Sequence, residues 1–135
     1  MSGPRATDQA TTVTLAELPG RPCAIAASLE VVGDRWALLV IREVALGNHR
    51  FTEIARGTGA PRDRLTARLR DLVDAGVLER RPYQGTRCSY HLTTSGRELL
   101  PVLEGLYAWG RRHVVAADDP DRHRRARWRL GEETP

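Results

Sequence analysis

The feature that most restricts the fold is a change of hydrophobic period at Gly76. Upstream of it, Leu65, Leu69, Leu72 and Val73 recur at i, i+4, i+7 and i+8, which is the stripe of an amphipathic helix. Pro61 suits the first turn of that helix, because its missing N–H has no intrahelical partner there. From Val77 the pattern alternates instead. Arg87, Ser89 and His91 interleave with Cys88, Tyr90 and Leu92, the period of a half-buried strand, with Cys88 keeping step with Tyr90 and Leu92 on the inward side. Gln84, Gly85 and Thr86 supply a bend, so Val77 to Tyr83 and Arg87 to Leu92 read as a β-hairpin. The helix before it carries Arg62, Asp63, Arg64, Arg68 and Arg70 away from its apolar stripe.

The remaining chain reads as helices. Pro19, Gly20 and Pro22 end a leader, and Ile25, Ala26, Leu29 and Val32 mark a first helix from Cys23 to about Gly33. Asp34 is an N-cap for a second, in which Trp36, Leu39, Val40 and Val44 share a face up to Gly47. A brief helical patch, Arg50 to Arg56, is closed by Gly57, Thr58, Gly59 and Ala60, a turn short enough for a helix-turn-helix. After the hairpin, Thr93 or Ser95 can cap a last helix, with Ser95 and Glu98 spaced as a capping box. Pro101 should kink or divide that helix. Its apolar surface, built from Leu99, Leu103, Leu106, Tyr107 and Val114 and widened by Val102, Trp109 and His113, exceeds what one contact needs, which implies a second chain.

A chain of 135 residues suits one domain with tails, and 41% apolar with 28% charged residues is a globular balance. The expected division is a flexible leader over 1–19, a winged helix-turn-helix unit for DNA binding and dimerisation over 20–115, and a charged tail over 116–135. No apolar run approaches the roughly 20 residues that span a bilayer, and the leader lacks the order of a secretory signal. A cytoplasmic protein without membrane contact is expected. Two cysteines make no disulfide framework. His49, His91, His113 and His123 show no ligand spacing, so neither a metal nor a cofactor is expected. No phosphate loop or nucleophile constellation points to an enzyme. The net charge of +4 favours a polyanionic partner, and all 21 basic residues are arginine, which grips phosphate and guanine bidentately.

From Cys23 to Gly110 the residues resemble the HxlR-type winged helix-turn-helix regulators. The likeness is carried by Cys23, Val32-Gly33-Asp34-Arg35-Trp36, Arg50-Phe51-Thr52-Glu53-Ile54 and Leu65-Thr66-Ala67-Arg68-Leu69-Arg70-Asp71-Leu72, in that order. Ala75-Gly76-Val77-Leu78, Tyr90-His91-Leu92-Thr93 with Gly96, Pro101-Val102-Leu103 and Trp109-Gly110 continue it. The chain departs from the common pattern at Ala60-Pro61, at Arg35 and in its arginine-rich end. The resemblance implies a mainly α fold with a small β-hairpin, a homodimer joined through terminal helices, a recognition helix in the major groove of double-stranded DNA, and a wing along the backbone.

These readings define the candidate site. Arg62 and Arg64 lie where a recognition helix enters the groove. Arg68 and Arg70 either join them or pair with Asp63 and Asp71, and Thr66 touches a phosphate or its own backbone. Gln84, Thr86 and Arg87 form the wing tip. The dimer interface is expected at Ile25, Leu99, Leu103, Leu106, Tyr107 and Trp109. Cys23, at a helix start beside Arg21, is either an oxidant sensor of the kind found in some HxlR-type relatives or a small packing residue. Trp36, Tyr107 and Trp109 are candidates for lining a small-molecule effector pocket. The arginines from Arg122 to Arg129 form a basic arm or a solubilising tail. The expected function is a sequence-specific, dimeric transcriptional regulator of the repressor type, responsive to an oxidant or ligand. The alternative is a winged-helix protein-interaction module.

Overall fold

The computed structural model describes residues 12–125 and 127–130. A 3-10 turn at Leu15–Glu17 precedes α1 (Ala24–Val32), α2 (Ala37–Ala45), α3 (Phe51–Thr58) and α4 (Arg62–Asp74). The antiparallel hairpin of β1 (Leu78–Gln84) and β2 (Arg87–Leu92) follows, then α5 (Thr94–Arg97) and α6 (Leu100–His113). This is a winged helix-turn-helix, mainly helical with one two-stranded sheet. Among the described residues no helix is long and apolar enough to cross a membrane.

The helix α2 is the centre of the core. Asp34 starts it by accepting hydrogen bonds from the N–H groups of Trp36 (3.1 Å) and Ala37 (2.8 Å). Val40, Ile41 and Val44 are then buried against Ile54 of α3, the α4 stripe of Leu65, Leu69 and Leu72, and Leu78 and Leu92 of the sheet. Burying each such side chain contributes about 1.5–3 kcal/mol, so this cluster holds the helix-turn-helix in one arrangement.

Two local expectations are corrected and one open alternative is decided. First, α3 does not stop at Arg56 but runs through Gly57 and Thr58. The next residue, Gly59, takes a left-handed conformation (φ 74°) and donates its N–H to the Ala55 carbonyl, which ends the helix there. Second, the inward set of β2 is only partly as expected: Leu92 is buried, but the residues that join it are not Cys88 and Tyr90. Ser89 and His91 are buried, while Cys88 and Tyr90 are only half-buried. The polar pair tolerates burial because the Ser89 hydroxyl and His91 Nε2 lie 2.8 Å apart, and the His91 ring stacks on His49 at 4.4 Å. The His49–Arg50 segment also flanks β2, with Tyr90 donating its N–H to the His49 carbonyl at 2.8 Å. Third, Thr93 rather than Ser95 caps α5, its hydroxyl accepting the Gly96 N–H at 3.1 Å. The last helix is divided, with Pro101 in the first turn of α6, where it costs no hydrogen bond.

The segment expected as a charged tail lies against the domain in its described part. Arg122 Nε donates to the Arg111 carbonyl (3.0 Å), the Trp128 indole N–H donates to Glu104 (3.1 Å), and the Arg129 N–H donates to the Ala45 carbonyl (2.7 Å). With Trp128 and Leu130 packed on the core, it forms a strap across α2 and α6. Of the leader expected over 1–19, residues 1–11 lie outside the described residues; the 3-10 turn in the remainder buries no residue.

Candidate nucleic-acid interface

Gly59, Ala60 and Pro61 turn the chain sharply between α3 and α4, so the first turn of α4 projects beyond the core that its later leucines enter. Arg62 and Arg64 are exposed on that turn. The Arg62 guanidinium lies 4.8 Å from the centre of the Phe51 ring, which braces it without neutralising it. Arg64 and Arg70, also exposed, make no ion pair or hydrogen bond among the described residues. These are cations available to an external anion.

Arg68 is differently placed. Its guanidinium bridges Asp34 (2.8 Å) and Asp71 (2.6 Å), so it ties α4 to the start of α2. Thr66 donates its hydroxyl to the Arg62 carbonyl at 2.8 Å, a bond within the helix. Of the two alternatives open for these residues, the structure thus displays the internal one for both.

In the wing, Gln84, Thr86 and Arg87 are exposed around the positive-φ turn at Gly85. Arg50 stacks on Tyr83, 4.4 Å from the ring centre, and so fastens the base of the wing to the start of α3. No local sequence signal marked this pair, because its members lie on separate elements. Beside them, burial pushes the Tyr90 phenol above its ordinary value of 10.0; Cys88 adds to the rise and Arg80, which hydrogen-bonds it, opposes it.

Away from α4, α1 and α6 expose apolar side chains. Ile25 is 73% exposed and Trp109 59%, and Leu29, Val102 and Leu106 are also open to solvent. Leu99 and Leu103 are half-buried against the chain's own core, and Tyr107 is half-buried under the guanidinium groups of Arg111 and Arg125. The apolar excess of the last helix is therefore divided between an internal face and an external one.

The family model described as HxlR-like helix-turn-helix matches residues 31–118. The chain belongs to this family. An uncharacterized HTH-type transcriptional regulator of Mycobacterium tuberculosis is 41% identical over 95 residues, 69% of this HxlR-like chain and 60% of that protein; the chain therefore spans about three fifths of that relative's length. The solved structure of PA1607, provisionally assigned as a transcription factor, superposes with a TM-score of 0.68 at 38% identity, covering 72% of this chain and 69% of that one. The redox regulator HypR in its oxidized form gives a TM-score of 0.59 at 27% identity, covering 70% of this chain and all of that one (100%).

In this HxlR-like chain Cys23 is exposed just before α1. Cys88 is half-buried, and both thiols are free. Among the described residues no group of three His, Cys, Asp or Glu is placed to hold a metal. The rings expected around an effector pocket are partly redistributed. Tyr107 lines a cavity of about 710 Å³ between α2, α6 and the strap, but the tryptophan there is Trp128, not Trp36 or Trp109.

Proposed function

We propose that this chain is a sequence-specific DNA-binding transcriptional regulator that acts as a homodimer on a near-palindromic operator, with residues 20–115 as its DNA-binding and dimerisation unit. The observation that carries this reading is the exposed, uncompensated pair Arg62 and Arg64 at the amino end of the second helix of a helix-turn-helix. Arginines so placed offer bidentate contacts to guanine or phosphate. Arg70 and the wing residues Gln84, Thr86 and Arg87 extend the contact to the flanking backbone. Arg68 and Thr66 act as supports for α4 in this reading, and Ile25, Leu106 and Trp109 form the centre of the dimer face.

Oxidant responsiveness rests on Cys23, an exposed thiol two residues from Ile25 on that face, and on the similarity to the redox regulator HypR. A modification there would alter the packing of α1 against a partner and thereby the spacing of the two recognition helices.

The test is binding to the intergenic DNA beside the gene, with competitor DNA, over a salt series and with reduced or oxidised thiol. Specific binding should weaken steeply with salt, and replacing both Arg62 and Arg64 by Ala should lower affinity and flatten the logarithmic salt slope by roughly 2. Binding that is indifferent to salt, or unchanged in the double variant, would remove the electrostatic basis of the proposal. A Cys23→Ser protein that responds to oxidant like the parent would eliminate this thiol as the switch.

A further inference from the structure

The cavity beneath the strap is a feature of the molecule that DNA binding leaves unused. Its volume, about 710 Å³, falls in the range of roughly 300–1,000 Å³ common to small-molecule sites. The walls are mostly apolar, with Leu38 and Leu39 of α2, Leu103 and Tyr107 of α6, and Trp128 of the strap. Trp128 and its neighbours Arg124 and Arg125 lie beyond residue 118, where the family match ends, so this wall is added to the shared fold.

The charges around the cavity select the ligand. Four arginines line it. Arg42 is bound to Glu43 at 2.9 Å, Arg124 to Asp121 at 2.8 Å, and Arg125 to Glu104. Arg35 has only a cation–π contact with Trp36, 4.8 Å from the ring centre, and no carboxylate partner among the described residues. Both lining carboxylates, Glu43 and Glu104, are already engaged by arginine. A cationic ligand would find no uncommitted acid, and a neutral one would make no use of Arg35, the one lining arginine without a carboxylate partner among the described residues. An apolar ring bearing a single anionic group satisfies both the walls and the cation.

We propose that this cavity binds an aromatic monocarboxylate, with the ring between α2 and Trp128 and the carboxylate on Arg35. Occupancy reaches the helix-turn-helix through α2. Arg42 and Glu43, on the cavity wall, also contact α3, where Arg42 donates to the Gly57 carbonyl at 2.8 Å and Glu43 lies directly against Gly57. The regulatory consequence rests on the DNA-binding reading above, whereas the binding site does not.

The experiment is calorimetric titration of the full chain with 2-naphthoate and with its uncharged counterpart 2-naphthamide, followed by DNA binding with and without 2-naphthoate. The proposal expects one saturable naphthoate site per chain, a preference over the amide of about tenfold or more, and an equal loss of naphthoate affinity in Arg35→Gln with the amide unaffected. Leu39→Trp fills the cavity and should abolish binding of both; Leu38→Phe, a smaller intrusion, serves if the first variant does not fold. Absence of saturable naphthoate binding, equal affinity for acid and amide, or parental binding in the filled variant overturns the proposal. If naphthoate binds as expected while no DNA does, the regulator reading fails and the site stands; if DNA binds and naphthoate does not, the reverse holds.

Discussion

Gly57 of α3 lies so close to Glu43 of α2 that a Cβ placed on the glycine would fall on the glutamate carboxylate. Glu43 is 5% exposed and is held there by Arg42 Nε and by the Asn48 side-chain amide, each at 2.9 Å. The absence of a side chain at Gly57 thus sets the approach of the two helices and lets a buried acid sit between them. Gly57→Ala should destabilise the fold by about 2–3 kcal/mol, because the carboxylate cannot shift without losing its partners. Urea denaturation followed by circular dichroism measures this, and a change below about 0.5 kcal/mol, the usual size for an uninvolved surface position, would show that the helices part freely.

The raised phenol of Tyr90 predicts a pH dependence. The folded state holds this proton more tightly than the unfolded chain, so the associated stability is present below the ordinary value of 10.0 and is lost as pH rises through the higher folded value. Unfolding free energy should therefore fall above about pH 10 more steeply in the parent than in Tyr90→Phe. Identical slopes would mean that Tyr90 ionises as freely in the fold as out of it.

The stacking of Arg50 on Tyr83 predicts a mobile wing in its absence. Tyr83→Ala should cost roughly 0.5–1 kcal/mol. The loss should be local, seen as faster amide exchange in residues 80–88 with α2 unchanged. DNA affinity should drop with it, since Arg87 would lose its fixed position. Uniform protection across the wing in parent and variant would refute the anchoring role.

The exposed apolar face predicts an assembly phenotype. Trp109→Ser with Leu106→Ser changes side chains that contribute little to the chain's own core, so folding should survive while self-association weakens at least about tenfold. Sedimentation velocity distinguishes the two masses. A variant that remains dimeric would place the interface elsewhere, and one that unfolds would show that these residues serve the monomer.

Arg68 and Arg64 should separate cleanly despite lying one turn apart. Arg64→Ala should reduce DNA affinity without affecting stability. Arg68→Ala should destabilise by no more than about 1 kcal/mol, as expected for partly exposed ion pairs, and act on DNA only through the placement of α4. Equal losses in DNA affinity, with unchanged melting, would instead make Arg68 a direct contact.

The sequence by itself determined the order of elements, the helix-turn-helix, the hairpin behind it and the basic first turn of α4, because periodicity, caps and turn residues act over a few neighbouring positions. Thr93, Pro101 and Asp34 each carry their instruction locally, although Thr93 and Ser95 competed for the same cap. Tertiary structure alone decided that Ser89 and His91 of β2 are buried along with Leu92, since burial of the polar pair depended on Ser89 meeting His91 beneath the His49–Arg50 segment. It also decided that Arg68 is committed to Asp34, that Arg50 stacks on Tyr83, and that a polar, arginine-rich stretch folds back through Trp128 to wall a cavity. Each of these joins residues on different elements, and a contact between distant positions leaves no period or spacing in the chain to announce it.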